Sequence, residues 1–173
     1  MTMSPALRKF TLVVHVIFSV SSLGAVACFL ALGLVGLGSA DAQTARSFYV
    51  AMDALARLVI VPLVFASLIT GLVQALGTVW GLFRHYWVLA KLLLTVLTAV
   101  VLLLQLDLIG YLAAAASKGL AEADLLGLRS SLVVHAGGGI VILITATVLS
   151  IYKPRGLTRY GWRKQQSQLA TRP

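Results

Sequence analysis

Four long stretches without a formally charged side chain restrict how this chain can fold more than any other feature. They cover Phe10–Ala40, Leu58–Phe83, Leu92–Leu106 and Ser130–Tyr152, which are 31, 26, 15 and 23 residues long. An α-helix needs about 20 apolar residues to cross roughly 30 Å of hydrocarbon. The third stretch is short only because Lys91 bounds it, and a lysine can extend its ammonium to the interface from within a span. The sequence therefore predicts four transmembrane helices.

Composition supports the same class. Only 11% of the residues are charged and the mean hydropathy is +0.97, whereas a soluble domain carries about 25% charged residues. Barrel strands alternate over about ten residues, and these runs do not. The first run also exceeds the roughly 7–15 apolar residues of a secretion signal, so we interpret it as a retained helix. We expect an all-α, four-helix transmembrane bundle in one domain, with antiparallel neighbours because the loops are short.

Helix boundaries follow from the flanking polar residues. We expect helices over about 10–37, 48–76, 87–116 and 130–152, and a basic tail over 153–173. Pro62 should kink the second helix, because its ring displaces the hydrogen bond to Leu58. The tail is expected to be partly disordered or to lie on the membrane surface.

The orientation follows from the distribution of Lys and Arg. Of the 14 in the chain, all but Arg46, Arg57, Lys118 and Arg129 fall on the side of the two termini, and the five acids fall on the opposite side. The turn Gly77–Trp87 adds Arg84 and aromatic residues to the first side. Lys and Arg are enriched in cytoplasmic loops, so both termini are predicted to be cytoplasmic. The net charge of +9 is then a topology signal, and we expect no nucleic-acid partner.

The first helix carries a polar stripe. Thr11, His15, Ser19 and Ser22 have the i, i+4, i+8, i+11 spacing that places them on one helix face. We expect this face to point into the bundle. One interpretation is that hydroxyls and small residues allow close helix packing. The other is that His15 binds a ligand or carries a proton.

A second polar group is expected near the outer surface. From the helical rise, Asp53, Arg57, Gln105, Asp107 and His135 fall at similar heights there. Asp53 and Arg57 are four residues apart and can pair along one helix. Three interpretations remain open for the group. It is an interfacial salt-bridge network, a metal or proton site built on His135, Asp107 and Asp53, or a haem site.

The histidines are the candidate cofactor ligands. Gly137, Gly138 and Gly139 follow His135 and leave room for a flat group such as haem, although glycines suit helix contacts equally well. His15 is the second candidate, but it differs from His135 by about 20 Å in height, so the two cannot share one iron. Towards the cytoplasmic boundary, His85 and Lys91 complete the set of polar candidates, with Lys91 at a depth similar to that of His15.

Three segments carry a resemblance to a known family. They are Trp80-Gly81-Leu82-Phe83-Arg84-His85-Tyr86-Trp87-Val88-Leu89-Ala90-Lys91, Val134-His135-Ala136-Gly137 and Tyr152-Lys153-Pro154-Arg155-Gly156. They resemble a family of small uncharacterised bacterial four-span integral membrane proteins, over almost the whole chain. That resemblance implies a multi-pass protein of the bacterial plasma (inner) membrane. A looser similarity to copper-resistance membrane proteins of the D type implies His15, His85 and His135 as candidate ligands.

The chain lacks the nucleotide-binding, haem-attachment, metal-ligand and nucleophile motifs of soluble enzymes. We therefore expect a small non-enzymatic membrane protein that binds a partner, a lipid or a small ligand through the bundle. A haem b- or copper-binding redox or metal-handling module is the alternative. Membrane lipids are the expected partners, together with a second copy of the chain or another membrane protein.

Overall fold

The computed structural model describes residues 3–39, 41–78, 81–117 and 122–170, and it confirms an all-α bundle. Its elements are α1 (Pro5–Gly38), α2 (Ala42–Leu55), a π-helical segment (Ala56–Ile60), α3 (Val61–Gly77), α4 (Tyr86–Ser117), α5 (Glu122–Tyr152) and α6 (Arg159–Ala170). Four continuous helical stretches are long and apolar enough to cross a membrane, namely Pro5–Gly38, Gln43–Gly77, Tyr86–Ala115 and Leu125–Tyr152.

The four spans form a ring. Helix α1 packs against α2, α3 and α5, and α4 packs against the same three helices. Consecutive spans are therefore neighbours, and α5 closes the ring on α1. We call the end that carries Pro5, Gly77, Tyr86 and Tyr152 the termini end, and the opposite end the loop end. The backbone N–H of Met3 donates to the carbonyl of Gly77 at 3.0 Å, which joins the start of the chain to the end of α3.

The outer surface of the ring is apolar. Large hydrophobic side chains on every span are exposed, among them Leu34, Leu58, Leu104 and Val134. Helices whose outward faces are as apolar as their inward faces are typical of proteins surrounded by lipid.

All four spans begin earlier than the predicted positions, by one residue for the third and by five or more for the others. The first begins at Pro5, the second at Ala42 and the fourth at Glu122. Asp41 caps α2, because its carboxylate accepts a hydrogen bond of 2.8 Å from the N–H of Thr44. An uncharged run marks the part of a helix that crosses hydrocarbon, whereas a capped helix continues into polar surroundings. Helix boundaries that are predicted from the positions of charged residues are therefore too short at the loop end.

Pro62 affects the second span through a π-helical segment. Because proline has no N–H, the carbonyl of Leu58 loses its normal partner. The N–H of Val61 donates instead to the carbonyl of Ala56, five residues back. The turn formed by Ala56–Ile60 therefore contains about one residue more than a turn of α-helix. The second span continues from α2 through this segment into α3.

The loop end is tightly packed. Met52 is 0% exposed and Leu112 is 1% exposed. Two glycines of α1 allow α2 to come close. A Cβ atom added at Gly33 would lie 3.3 Å from Cε of Met52, and one added at Gly36 would lie 3.3 Å from Cζ of Tyr49. Small residues at helix crossings are the usual means of close packing in membranes.

The basic tail docks through residues 156–161 on residues 83–86, at the termini end. His85 and Leu157 form an isolated antiparallel bridge, and the N–H of Tyr86 donates to the carbonyl of Gly156 at 3.3 Å. We call the paired segments 83–86 and 156–161 the clasp. The tail also contains the helix Arg159–Ala170, whereas the sequence left partial disorder and a location on the membrane surface as alternatives.

Thr158 is the centre of the clasp. Its N–H donates to the carbonyl of Arg84 at 3.0 Å, and its hydroxyl donates to the carbonyl of Phe83 at 2.5 Å. The same hydroxyl accepts from the N–H of Gly161 at 3.0 Å, which caps α6. A Cβ atom at Gly161 would lie 2.4 Å from the Arg84 carbonyl oxygen, so only glycine allows this approach.

Candidate functional site

A polar cavity of about 150 Å³ lies between α1, α3, α4 and α5, towards the termini end. Its polar lining consists of the cationic Lys91, one imidazole, one amide and several hydroxyls. These residues are His15, Ser19, Ser22, Ser67, Gln74, Thr78, Lys91, Thr95, Thr147 and Ser150. Polar side chains inside membrane spans are costly, and they gather where a bundle performs its function. This cavity is therefore the candidate site.

The ring of His15 is held by the backbone and a hydroxyl of α3. Its Nδ1 lies 3.1 Å from the carbonyl oxygen of Ser67 and 3.1 Å from Oγ1 of Thr70. We assign the ring proton to Nδ1, because the Ser67 carbonyl can only accept. The neutral ring then presents Nε2 as an acceptor. Gly71 makes room for this position, since a Cβ atom there would lie 3.1 Å from Cε1 of His15.

A polar seam extends from His15 along the α1–α3 contact. Ser19 and Ser67 share a hydroxyl–hydroxyl hydrogen bond of 2.8 Å. Nearer the termini end, Nε2 of Gln74 donates to Oγ1 of Thr11 at 3.5 Å. The stripe on the first helix therefore faces into the bundle, as its spacing predicted. Each interpretation of the stripe matches one observation. The hydroxyls form hydrogen bonds between α1 and α3, and His15 lines the cavity.

Lys91 enters the same cavity from α4. Its Nζ donates to Oγ of Ser150 on α5 at 2.9 Å. The ammonium also lies 4.9 Å from the centre of the Trp87 ring, within the range of a cation–π interaction. Lys91 therefore has polar and aromatic partners, and its side chain is held across the α4–α5 interface.

Among the described residues that line the cavity, Lys91 carries a formal charge and none is acidic. The ion pair between Arg57 and Asp53 belongs to the loop-end half. Lys91 thus brings a positive charge into a span without a carboxylate among the described residues to compensate it. The cavity suits a ligand that supplies negative charge.

The outer polar group forms in part. Nε of Arg57 lies 2.8 Å from Oδ1 of Asp53, which is the expected i, i+4 pair. Arg57 also donates through Nη2 to the carbonyl of Leu106 on α4 at 3.0 Å. The pair sits over Gly110, where a Cβ atom would lie 2.9 Å from Nη2. It therefore fixes the second span against the third.

The proposed metal ligands are not assembled. Asp107 is exposed, and Nδ1 of His135 lies 2.7 Å from the carbonyl oxygen of Ser131 in its own helix. Over the described part of the chain, no three His, Cys, Asp or Glu side chains form a group that could hold a metal ion. The set His135, Asp107 and Asp53 is therefore not brought together.

His15 and His135 open onto different spaces. His15 lines the polar cavity, whereas His135 and Gln105 line a separate, largely apolar groove of about 330 Å³ between α1, α4, α5 and the π-helical segment. The two spaces share no lining residue. The two histidines therefore do not converge on one haem or copper ion, in agreement with the difference in height that the sequence indicates.

His85 also lies apart from the cavity. It belongs to the clasp, where it pairs with Leu157, and its ring centre is 6.2 Å from that of Trp87. It is not one of the residues that line the polar cavity. Of the histidine, lysine and arginine candidates, His15 and Lys91 alone reach this cavity.

Sequence reasoning missed the α3 side of the site. Ser67, Thr70, Gly71 and Gln74 all face α1, and their spacing of 3–4 residues places them on one helix face. The signal was present, but it consists of small and hydroxyl residues inside an apolar run. Such residues are also common at ordinary helix contacts, so spacing alone does not mark a site.

Comparison with known proteins gives no relative. No family model, no curated protein and no solved structure matches the chain. Any assignment of function to this chain therefore depends on the geometry of the cavity.

Proposed function

We propose that this multi-pass membrane protein is a non-enzymatic binder of a small oxyanion, such as a carboxylate or a phosphate, in the polar cavity. The observation that carries the proposal is Lys91, a lysine inside a span whose cavity has no acidic residue in its lining. A charge in low dielectric needs an opposite charge or several hydrogen bonds to offset its desolvation. A bound anion provides both.

The remaining lining completes an oxyanion site. Ser150 already accepts a hydrogen bond from Lys91 at 2.9 Å, and it can stay in that position while a ligand oxygen joins the ammonium. On the opposite wall, Nε2 of His15 is an acceptor that suits a hydroxyl of the ligand, and protonation would convert it into a donor. Ammonium groups form charge-assisted hydrogen bonds with anions, which are stronger than neutral ones.

The size of the cavity favours a small ligand. Pockets for drug-sized molecules measure about 300–1,000 Å³, whereas this cavity measures about 150 Å³. It can hold a small oxyanion with a few water molecules, but a haem group is too large for it. A haem group would have to bind in the groove beside His135. Among the described residues that line this groove, the facing helices offer no second histidine, methionine or cysteine as an iron ligand.

We place the termini end, and with it the clasp, on the cytoplasmic side of a bacterial plasma membrane. The excess of Lys and Arg at that end supports this orientation. The cavity would then receive its ligand from the cytoplasmic side, because Thr78, Leu82 and Trp87 at the termini end are part of its lining.

Cysteine labelling in intact cells tests the orientation. Cys28 is the one cysteine of the chain, so Cys28→Ala provides a cysteine-free background. In it, Gln43→Cys at the loop end should react with a membrane-impermeant maleimide, and Gln166→Cys in α6 should react only after lysis. The reverse pattern would refute the proposed orientation.

Binding of simple anions tests the ligand class. The purified protein in detergent is titrated calorimetrically with acetate, hydrogencarbonate and inorganic phosphate. We expect at least one to bind, and we expect Lys91→Gln to weaken that binding at least tenfold, because a charge-assisted hydrogen bond is worth about 1.5–3 kcal/mol.

Two variants serve as controls. Lys9→Gln removes a positive charge at the same end but outside the cavity lining, so it should leave the affinity within about twofold, the scale of a screened surface charge. Lys91→Arg keeps the charge and should retain binding. If Lys91→Gln bound as tightly as the unaltered protein, or if none of the anions bound, the proposed function would be wrong.

A further inference from the structure

The exposed face of α6 carries positive charge and aromatic side chains together. Arg159, Arg163 and Lys164 are exposed, and so are Trp162 and Leu169, at 57% and 60%. We propose that α6 is an interfacial helix that binds the anionic headgroups of the adjacent lipid leaflet. This inference is independent of the proposed function, because it involves no residue of the polar cavity.

The side of α6 that packs on the clasp differs from the side that exposes its large apolar residues. At 100° per residue, Gly161 marks the side that touches the clasp, and Trp162 and Leu169 lie together on a neighbouring side. Arg159 and Arg163 follow next around the helix, whereas Lys164 lies on the far side, about 160° from Trp162 and beside Tyr160. An interfacial helix typically inserts Trp and Leu at the headgroup–acyl boundary and places Lys and Arg beside the phosphates.

The clasp fixes α6 at the level of the membrane boundary. Thr158 ties it to the carbonyls of Phe83 and Arg84, just before α4 begins at Tyr86. A positive tail without structure would satisfy the charge bias of cytoplasmic segments equally well. The cap on α6 and the close approach of Gly161 instead hold the first turn of α6, with Arg159 and Arg163, beside the start of α4.

Charge complementarity favours lipid as the occupant. The segment from Lys153 to Ala170 contains no acidic residue, and Lys153 and Arg155 extend the positive region towards the end of α5. Exposed Trp and Leu suit a surface with an apolar layer beneath its charges. A surface that binds nucleic acid would not need exposed Trp and Leu. The clasp also attaches α6 to the termini end of the spans, next to the bilayer.

The test uses the full chain in nanodiscs of phosphatidylcholine alone and of phosphatidylcholine with 30% phosphatidylglycerol. A spin label is attached to Gln166→Cys in a Cys28→Ala background. Its relative accessibility to oxygen and to a water-soluble nickel chelate reports whether α6 lies at the interface. We expect the label to lie at the interface with phosphatidylglycerol and to be more exposed to water without it.

The decisive variant is Arg159→Gln/Arg163→Gln. Each basic residue near an anionic surface changes the binding equilibrium about fivefold, so the ratio of bound to detached α6 should fall about 25-fold. The matched control, Arg8→Gln/Lys9→Gln, removes two positive charges at the same end but outside α6, and it should leave the ratio unchanged. If the α6 variant fails to fold, 0.5 M NaCl on the unaltered protein gives a second measurement, because salt screens these contacts.

Three outcomes would overturn the inference. They are equal label environments in the two lipid mixtures, equal effects of the α6 variant and its control, and insensitivity to salt. A label that stays in water in both mixtures and becomes protected when RNA or an acidic soluble protein is added would assign this face to another partner.

Discussion

At the loop end, Met52 and Leu112 have almost no exposed surface, whereas at the termini end the same spans enclose a polar cavity of about 150 Å³. The difference lies in the residues at the helix contacts. Gly33 and Gly36 bring α2 onto α1, while the α1–α3 seam is joined by hydroxyls and by His15. The α1–α2 contact at the loop end is thus close-packed, and the groove beside His135 in that half is largely apolar. The termini end instead encloses a polar space.

This difference separates stability from binding. Helix association within lipid depends on packing and on interhelical hydrogen bonds, because apolar side chains gain nothing by leaving lipid for another apolar surface. Close packing of α2 against α1 can therefore hold the ring together while the termini end retains a polar space. We expect substitutions at the two ends to have different consequences.

The largest expected effect is at the loop end. Leu112→Ala removes a side chain that is 1% exposed, and the resulting void should reduce the free energy of unfolding by about 3 kcal/mol. Leu72→Ala, on the wall of the existing cavity, is the matched control and should cost about 1 kcal/mol or less, because fewer packed contacts are lost. Unfolding in mixed micelles with increasing SDS compares the two. Equal losses would contradict the division between the ends.

A substitution in the clasp should change hydrogen exchange there and leave distant helices unaffected. Gly161→Val places side-chain atoms against the Arg84 carbonyl, so it should release α6 and expose the hydrogen bonds of Thr158 to water. Hydrogen exchange at residues 156–161 should become at least tenfold faster, a change of about 1.4 kcal/mol in local opening. Exchange in α2 should not change, because α2 belongs to the loop end. Gly127→Val is a suitable control, since a Cβ atom there meets nothing within 4 Å.

The α1–α3 seam should contribute a small pairwise energy. Ser19 and Ser67 share a hydrogen bond of 2.8 Å, and interhelical hydrogen bonds in membranes are worth about 0.6 kcal/mol. A double-mutant cycle with Ser19→Ala and Ser67→Ala should recover a coupling of this size. A coupling of about 2 kcal/mol or more would show that polar contacts, rather than loop-end packing, dominate stability.

The smallest expected effect is the pH response of the cap on α2. The hydroxyl and the N–H of Thr44 hydrogen-bond to Asp41 and lower the pKa of its carboxyl below the ordinary value. A lowered folded-state pKa contributes stability above the unfolded pKa of about 3.9, and this contribution is lost as the pH falls through the folded value. Hydrogen exchange at Thr44 should therefore accelerate, beyond its intrinsic pH dependence, as the pH is lowered from 5 to 3. Asp41→Asn should remove this response, and a response that persists would assign it to another group.

The fold could be predicted because hydrocarbon imposes a simple rule. Four uncharged runs require four helices, and the structure confirms them. Local spacing also predicted the Asp53–Arg57 pair and the inward direction of the His15 stripe. These features depend on residues within one helix, where the rise and rotation per residue are fixed.

The partners across helices could not be predicted in the same way. Depth calculations placed His15 and Lys91 at similar heights, but the rotation of each span about its axis is set by packing against its neighbours. Ser67 and Thr70 became partners of His15 only through that rotation. The docking of the tail could not be predicted either, because it depends on backbone hydrogen bonds to Phe83 and Arg84 that leave no pattern in the sequence.

The π-helical segment has a consequence for the distant cavity. Ala56–Ile60 absorbs about one residue more than a regular α-helix would take. If these residues became regular α-helix, every position beyond them would turn by about 100° and advance by about 1.5 Å. Ser67 and Thr70 would then leave His15, although no residue of the site had changed. The segment thus sets the rotation at which the polar face of α3 meets α1.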